Sequence, residues 1–209
     1  MVVAYVDTDG HAKAMSHYLC TSANAALVLE HVTRKGPARR ILFLPDKLLG
    51  AAALTTAQLD ANLVDLYDGP CHVHARIGKA AVEGALVQHP GAELLIHPEC
   101  SYSAEMKKGI ARLNYGHFLS SEQMLRYAAT SGGNKFIVAT EKGLVYWLRA
   151  KCPAKKFYRI SDPAVCEYMK MNTLEKLFNS LRHDQFEVEV DQDVSNRARR
   201  AITRMLAIH

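Results

Sequence analysis

The sequence predicts an α/β fold built on parallel sheets, and two patterns carry that expectation. The runs VVAYV (Val2–Val6), ILFLP (Ile41–Pro45), ELLIH (Glu93–His97) and KFIVAT (Lys135–Thr140) are apolar nearly throughout. Strands read that way when both faces of their sheet are covered. Longer amphipathic stretches separate the runs, so strand and helix alternate along the chain.

Each element has a local reason. Val2–Val6 is a buried strand and Asp7 to Gly10 its turn. Ala12–Leu19 reads as helical, and Thr21–Ser22 can cap a helix running from about Asn24 to Thr33. The strand Ile41–Pro45 ends at its proline, Gln58–Tyr67 is mixed, and Gly69–Pro70 is a breaker. Lys79–His89 is a helix closed by Pro90–Gly91, followed by the strand Glu93–His97. Ser103–Leu113 and Ser121–Thr130 read as helices, Lys135–Thr140 as a strand, Glu141–Lys151 as a helix and Lys155–Ile160 as a further strand. Leu174–Leu181 is helical, Val188–Val190 extended, and Asp191–Ile208 a closing amphipathic helix.

Composition bounds the function. A chain of 209 residues, 49% hydrophobic and 22% charged, has the make-up of a globular protein with a substantial core. No apolar run approaches the roughly 20 residues of a membrane span. The start MVVAYVDTDG lacks the basic residues and cleavage site of a signal peptide, so a cytoplasmic protein without a membrane partner is expected. The formal charge of +5 gathers at Arg34–Arg40 and Asn196–Arg204. These clusters read as solvated faces rather than a nucleic-acid surface, and the charge suits small anionic ligands. Five cysteines without a CxxC pair argue against a disulfide framework or a zinc ribbon.

Ligands of such sheets bind outside the carboxyl ends of the strands. Those ends carry Asp7–Thr8, Asp46–Lys47, His97 to Glu99 and Glu141. His97-Pro98-Glu99-Cys100 reads either as an acid–base pair or as a polar strand-to-helix loop. Cys71-His72-Val73-His74 is compatible with zinc or iron, or with a strand that has one buried face. Thr21 to Ala25 suits an anion site at a helix start, or plain capping. Cys20 and Cys152 read as packing residues.

Taken together, AYVDT, CTSANA, FLPDKLLG, GPCHVH, LIHPEC, FIVATEKGL, KKFY, C-x-x-MKMNTLE and the terminal I-x-RML resemble the quinolinate synthase family, and in family order. The resemblance implies two of three homologous three-layer αβα units with short parallel sheets, at residues 1–70 and 71–165. Residues 166–209 would be a C-terminal helical segment completing the family's first unit. It implies condensation of iminoaspartate with dihydroxyacetone phosphate to quinolinate, on the way to NAD. The implied cofactor is a 4Fe–4S cluster with one open iron, held by three cysteines, of which Cys71 and Cys166 match two. Tyr5, His97 and Glu99 match catalytic positions. Ser22, Asn24, His74, Ser120, Ser121 and Lys170 match substrate-binding positions. The family's first unit and third cluster cysteine would come from a separate N-terminal unit, and L-aspartate oxidase is a further implied partner.

The sequence departs from the family pattern at Asp7, where an asparagine is usual, and at Leu119-Ser120-Ser121-Glu122, where a GSTS phosphate loop is usual. The final helix is expected to expose Ile202, Met205 and Leu206. Two other readings stay open: a non-catalytic binding or regulatory descendant, and a metal-dependent lyase or hydrolase using His74, His97 and Glu99.

Overall fold

The computed structural model describes residues 1–34, 40–101 and 116–208. Its first part runs β1 (Val2–Tyr5), α1 (Gly10–Met15), β2 (Tyr18–Cys20), α2 (Ala25–Arg34), β3 (Ile41–Leu44), α3 (Lys47–Ala57), a 3-10 turn at Ala61–Leu63 and β4 (Val64–Leu66). These strands form one parallel sheet in the order β2-β1-β3-β4, with Ala4 in register with Leu19 on one side and Leu44 on the other.

The second part repeats the plan. After α4 (His72–Ala75) and α5 (Lys79–Gln88) come β5 (Glu93–Ile96), β6 (Gly116–Phe118), α6 (Ser121–Thr130), β7 (Lys135–Ala139), α7 (Gly143–Lys151) and β8 (Lys156–Arg159). The order β6-β5-β7-β8 is the first sheet's order over again, and again all parallel. Two αβα units with short parallel sheets therefore stand as the sequence predicts. Three helices close the chain: α8 (Glu167–Lys170), α9 (Leu174–His183) and α10 (Gln192–Leu206).

Strand alternation sorts the side chains into layers. On one face of the first sheet, Val3, Ile41 and Phe43 meet Val28, Leu29 and Val32 of α2 and Leu49, Ala53 and Leu54 of α3. On the other face, Ala4 and Leu19 meet Ala201 and Met205 of α10. In the second sheet Leu94, Ile96, Ile137 and Ala139 pack with Val82 and Ala85 of α5. The opposite face, Leu95, Phe136, Val138 and Phe157, is covered by Met124 and Ala128 of α6 and by Val145 and Leu148 of α7. The central strands are mostly apolar because their two faces serve two cores at once.

Several elements differ from the sequence reading, each for a physical reason. Ala12–Leu19 is not one helix. Asp9 caps α1 by accepting from the Ala12 amide at 2.8 Å, and the backbone is already extended at Ser16. Tyr18–Cys20 then pairs with β1 and buries Leu19 completely. Helix α3 was not anticipated because KLLGAAALTTA is apolar almost all round and shows no stripe. Gly50 lets it approach the sheet; a Cβ there would meet Leu66 Cδ2 at 2.5 Å and Phe43 Cδ1 at 2.8 Å. Strand β6 is a three-residue edge, too short for a pattern. Val188–Val190 joins no ladder, and the helix expected over Ser103–Leu113 lies outside the described residues.

The final helix also requires correction. Met205 is buried on the first sheet and Ile202 packs beside it, so only Leu206 of the three residues stays exposed. The helix buries Ala198, Ala201 and Met205, the last two against Ala4 of β1 and Leu19 of β2, and its arginines lie mostly on the outer side. The uncovered apolar face belongs instead to α9, where Leu174, Leu177, Phe178 and Leu181 are all exposed.

Candidate active site

In each sheet the chain leaves the first strand for one neighbour and then crosses to the other side, which opens a crevice at the strands' carboxyl ends. Tyr5 ends β1, Asp46 follows β3, His97 follows β5, and Thr140 and Glu141 follow β7. Both crevices contribute to one pocket of about 740 Å³, a volume suited to a small organic ligand.

Asp46 ties the two units together. One oxygen caps α3 through the Leu49 amide at 2.6 Å, and the other accepts from the Cys71 amide at 2.7 Å. That grip sets the start of α4, and one turn later His74 points into the second unit. Its Nε2 lies 2.9 Å from Thr140 Oγ1, and its Nδ1 lies 2.9 Å from Glu99 Oε2, off the angle of a hydrogen bond. The His97 ring stacks on the His74 ring at 4.3 Å and 7°. His97 itself is fixed by a tight turn, its amide donating to Ala139 O at 3.0 Å and its carbonyl accepting from Cys100 N at 3.0 Å.

Burial and charge then set the protonation states. Glu99 is only 3% exposed. Burial pushes its carboxyl up, but the contact with His74, the charges of His97 and His74 and the contact with Tyr5 outweigh that and hold it below the ordinary glutamate value. For His74, burial pulls the ring down, yet Cys71 and Glu99 raise it to about 9. The Cys71 thiol is raised by burial and lowered more by its contact with His74, ending below its usual value. Tyr5 is pushed up, first by burial and then by Glu99, with its hydroxyl also in contact with Ser22. The result at neutral pH is a carboxylate, an imidazolium and a protonated phenol side by side. The Asp7 carboxyl is also raised, by burial and then by Glu99.

The opposite wall is the start of α6. Ser120 caps it in a reciprocal box: the Gln123 amide donates to Ser120 Oγ, and the Gln123 side chain accepts from the Ser120 amide. Ser120 and Ser121 line the pocket, so the positive end of the helix faces it. Glu122 lies in the same turn, but its carboxylate is drawn along the helix to Arg126 at 2.8 Å. Lys170 closes the rim from α8, 3.3 Å from Glu141, and Glu141 in turn accepts from the Gly143 amide at 2.6 Å.

Tyr5, Ser22, His74, His97, Glu99, Ser120, Ser121 and Lys170 thus border one space. Asn24 does not: its side chain turns back to accept from the Thr21 amide and hydroxyl, shaping the loop before α2. Cys71 and Cys166 pack against one core patch, their segments joined where His72 Nε2 meets Glu167 at 2.7 Å. Both are partly exposed, as is Cys152 at the end of α7, whereas Cys20 and Cys100 are fully buried. The sequence reading did not single out Thr140, nor the outward aromatic pair Tyr146 and Trp147 at the pocket mouth. Thr140 had a signal, its place at a strand's carboxyl end; the aromatics look like any others on a helix. Among the described residues no helix is long and apolar enough to cross a membrane.

Comparison with known proteins gives a consistent result. The family described as "Quinolinate synthetase A protein" matches residues 1–207. A "Quinolinate synthase" of Thermus thermophilus is 42% identical over 209 residues, the whole of this chain and 64% of that protein. A second, from Pyrobaculum aerophilum, is 38% identical over 206 residues, 98% of this chain and 65% of that protein. "Quinolinate synthase 2" of Methanosarcina acetivorans is 39% identical over 208 residues, covering 99% and 62%. The chain therefore spans less than two thirds of the length of these relatives.

Proposed function

The chain belongs to the quinolinate synthetase A family, and on that premise we propose that it supplies two of the three units of a quinolinate synthase in NAD biosynthesis. The reaction is the condensation of iminoaspartate with dihydroxyacetone phosphate to quinolinate. The observation that supports this most is the convergence of both sheets on one pocket whose groups suit two anionic substrates.

Each group has a task that follows from its surroundings. The positive end of α6, with Ser120 and Ser121, receives the phosphate. Lys170, half-exposed beside the buried Glu141, pairs with a substrate carboxylate. Glu99, kept ionised, takes protons during the condensation and dehydration steps. Tyr5 keeps its proton and donates a hydrogen bond from the facing sheet, with Ser22 behind it. The His74 imidazolium holds Glu99 in place, and His97 stacks against that ring.

Cys71 and Cys166 would be two of the thiolates holding a 4Fe–4S cluster, which would supply Lewis acidity to the pocket. The third thiolate would come from a further α/β unit outside this chain. The bare apolar face of α9 suits such a unit as a cover. Iminoaspartate hydrolyses in water, so an L-aspartate oxidase that forms it is the partner enzyme. The test is anaerobic loading with iron and sulfide, alone and with a candidate N-terminal unit. The expected result is a cluster's broad visible absorption and acid-labile sulfide, both lost in Cys71→Ala and in Cys166→Ala. Equal sulfide in parent and variants would reject the cluster.

Gly143 offers a second check on the pocket rim. A methyl group there would stand 2.6 Å from Glu141 Oε2 and 3.1 Å from Lys170 Nζ, so both side chains must move. Gly143→Ala is expected to weaken quinolinate binding about tenfold, the size of a small overpacking strain, with little change in melting temperature. Calorimetric titration showing parent affinity would remove Lys170 and Glu141 from the binding site.

A further inference from the structure

Two cavities beside α7 and β8 run into one another, since Arg149 and Arg159 line both. The first, of about 480 Å³, holds the stacked rings of His89 and Tyr158, with centres 3.8 Å apart and planes 11° from parallel. The second, of about 300 Å³, adds Lys142, and it meets the active-site pocket at Gly143, Tyr146 and Lys170. Lys142, Arg149 and Arg159 border this groove and not the pocket. Among the described residues the groove is lined by one carboxylate, Asp162. Asp162 pairs with Arg159 at 2.6 Å, but the two side chains are 74% and 57% exposed, and a pair so open to water is weak. Neither Arg149 nor Lys142 has a carboxylate partner among the described residues.

These cations are held in place before any ligand arrives. Arg149 reaches from α7 to donate to the Phe157 carbonyl at 2.8 Å, which orients its guanidinium. Arg159 ends the same strand, β8. Lys142 is placed by its backbone amide, which donates to the Ala164 carbonyl at 2.8 Å. A guanidinium matches a phosphate with two parallel hydrogen bonds, and it does so best when already oriented. A concave wall of one sign also concentrates the field that draws an anion in. The rings of His89 and Tyr158 give the groove an apolar end, which a bare inorganic ion does not use.

We propose that this groove binds a phosphate monoester, with its phosphate on Arg149 and Arg159 beside Lys142 and its organic part along His89 and Tyr158. The site is separate from the phosphate position at Ser120 and Ser121, and it does not depend on the chain's serving quinolinate synthesis. Nucleoside monophosphates and small glycerol or sugar phosphates share the chemistry it recognises.

The test is calorimetric titration of the chain at low salt with adenosine 5′-monophosphate, glycerol 3-phosphate and inorganic phosphate. The expected result is a site for at least one ester, weakened about tenfold in Arg149→Gln and in Arg159→Gln and unchanged in the Ser120→Ala/Ser121→Ala double variant. Inorganic phosphate should bind about tenfold more weakly than the tighter ester. A clear preference for adenosine 5′-monophosphate assigns a nucleotide; similar affinities for the two esters assign the smaller class, and either supports the site. Circular dichroism checks that each variant is folded. Lys142→Gln, whose side chain makes no bond to the fold, keeps the test open if the loss of the Arg149 bond to β8 disturbs the strand, and it too should weaken the ester. No binding of either ester, affinity unchanged in the arginine and lysine variants, or inorganic phosphate binding as tightly as both esters would overturn the site. So would binding lost only in the serine double variant, which would place the ester in the pocket. Failure of the quinolinate reading leaves a positive result standing.

Discussion

Glu99→Gln is expected to lower turnover in the anaerobically loaded, complemented system by about 10²–10⁴-fold, the usual contribution of a positioned general base. Glutamine keeps the shape of the side chain but cannot accept a proton. Its neighbours make the loss specific. Tyr5 retains its proton, and His74 is protonated and engaged with Thr140, so neither replaces a carboxylate as base. The same substitution leaves the buried His74 ring without its anionic partner at 2.9 Å. A stability loss of about 1–3 kcal/mol should accompany it. The two effects separate by comparison with Glu99→Asp, which keeps the charge and shortens the reach. Turnover within threefold of the parent in Glu99→Gln, measured as quinolinate formed, would remove Glu99 from the base role.

The largest stability effect is expected at Phe136, in the middle of the second sheet. The residue is fully buried, stacks on Phe157 with ring centres 5.4 Å apart, and meets Tyr127 edge-on at 6.4 Å. Lys155 covers its outer face at 5.6 Å while donating to the carbonyls of Ala128 and Ser131. Removing the ring empties the centre of one layer, and the strand backbone on either side cannot collapse into the space. Phe136→Ala should cost about 3–5 kcal/mol. For a chain of this size that lowers the melting temperature by roughly 6–20 °C. Thermal unfolding followed by circular dichroism would check it, and a drop under a few degrees would show that the layer repacks.

How much the sequence disclosed depends on what each residue had to do. Strands β1, β3, β5 and β7 are legible because most of their side chains enter one core or the other. Strands β2 and β6 were not, since three residues make no pattern and their place depends on a partner strand far along the chain. Helix α3 escaped because its surroundings are apolar on most sides, so it lacks the polar face that marks a helix. At the site, Tyr5, His97, Glu99 and His74 stood out as reactive residue types at strand ends or in a CxxH unit. Asp46 was noticed only as a strand end, because a carboxylate that joins two helix starts looks like any capping residue until both amides are seen. The wrong face was assigned to the last helix because Met205 reads the same whether it meets solvent or the underside of β1.

That last helix sets an order of events. Arg204 bonds the His17 carbonyl at 3.0 Å across 187 positions of sequence, and Met205 closes one face of a sheet whose first strand begins at Val2. As a nascent chain the first unit emerges early, yet one of its faces stays open until α10 has been made. At roughly 5–20 residues per second, the stretch between them takes about 10–40 seconds to synthesise. The second unit, with a core on both faces drawn from its own neighbours, has no such wait. Of these two units, the one synthesised earlier is therefore the one completed later.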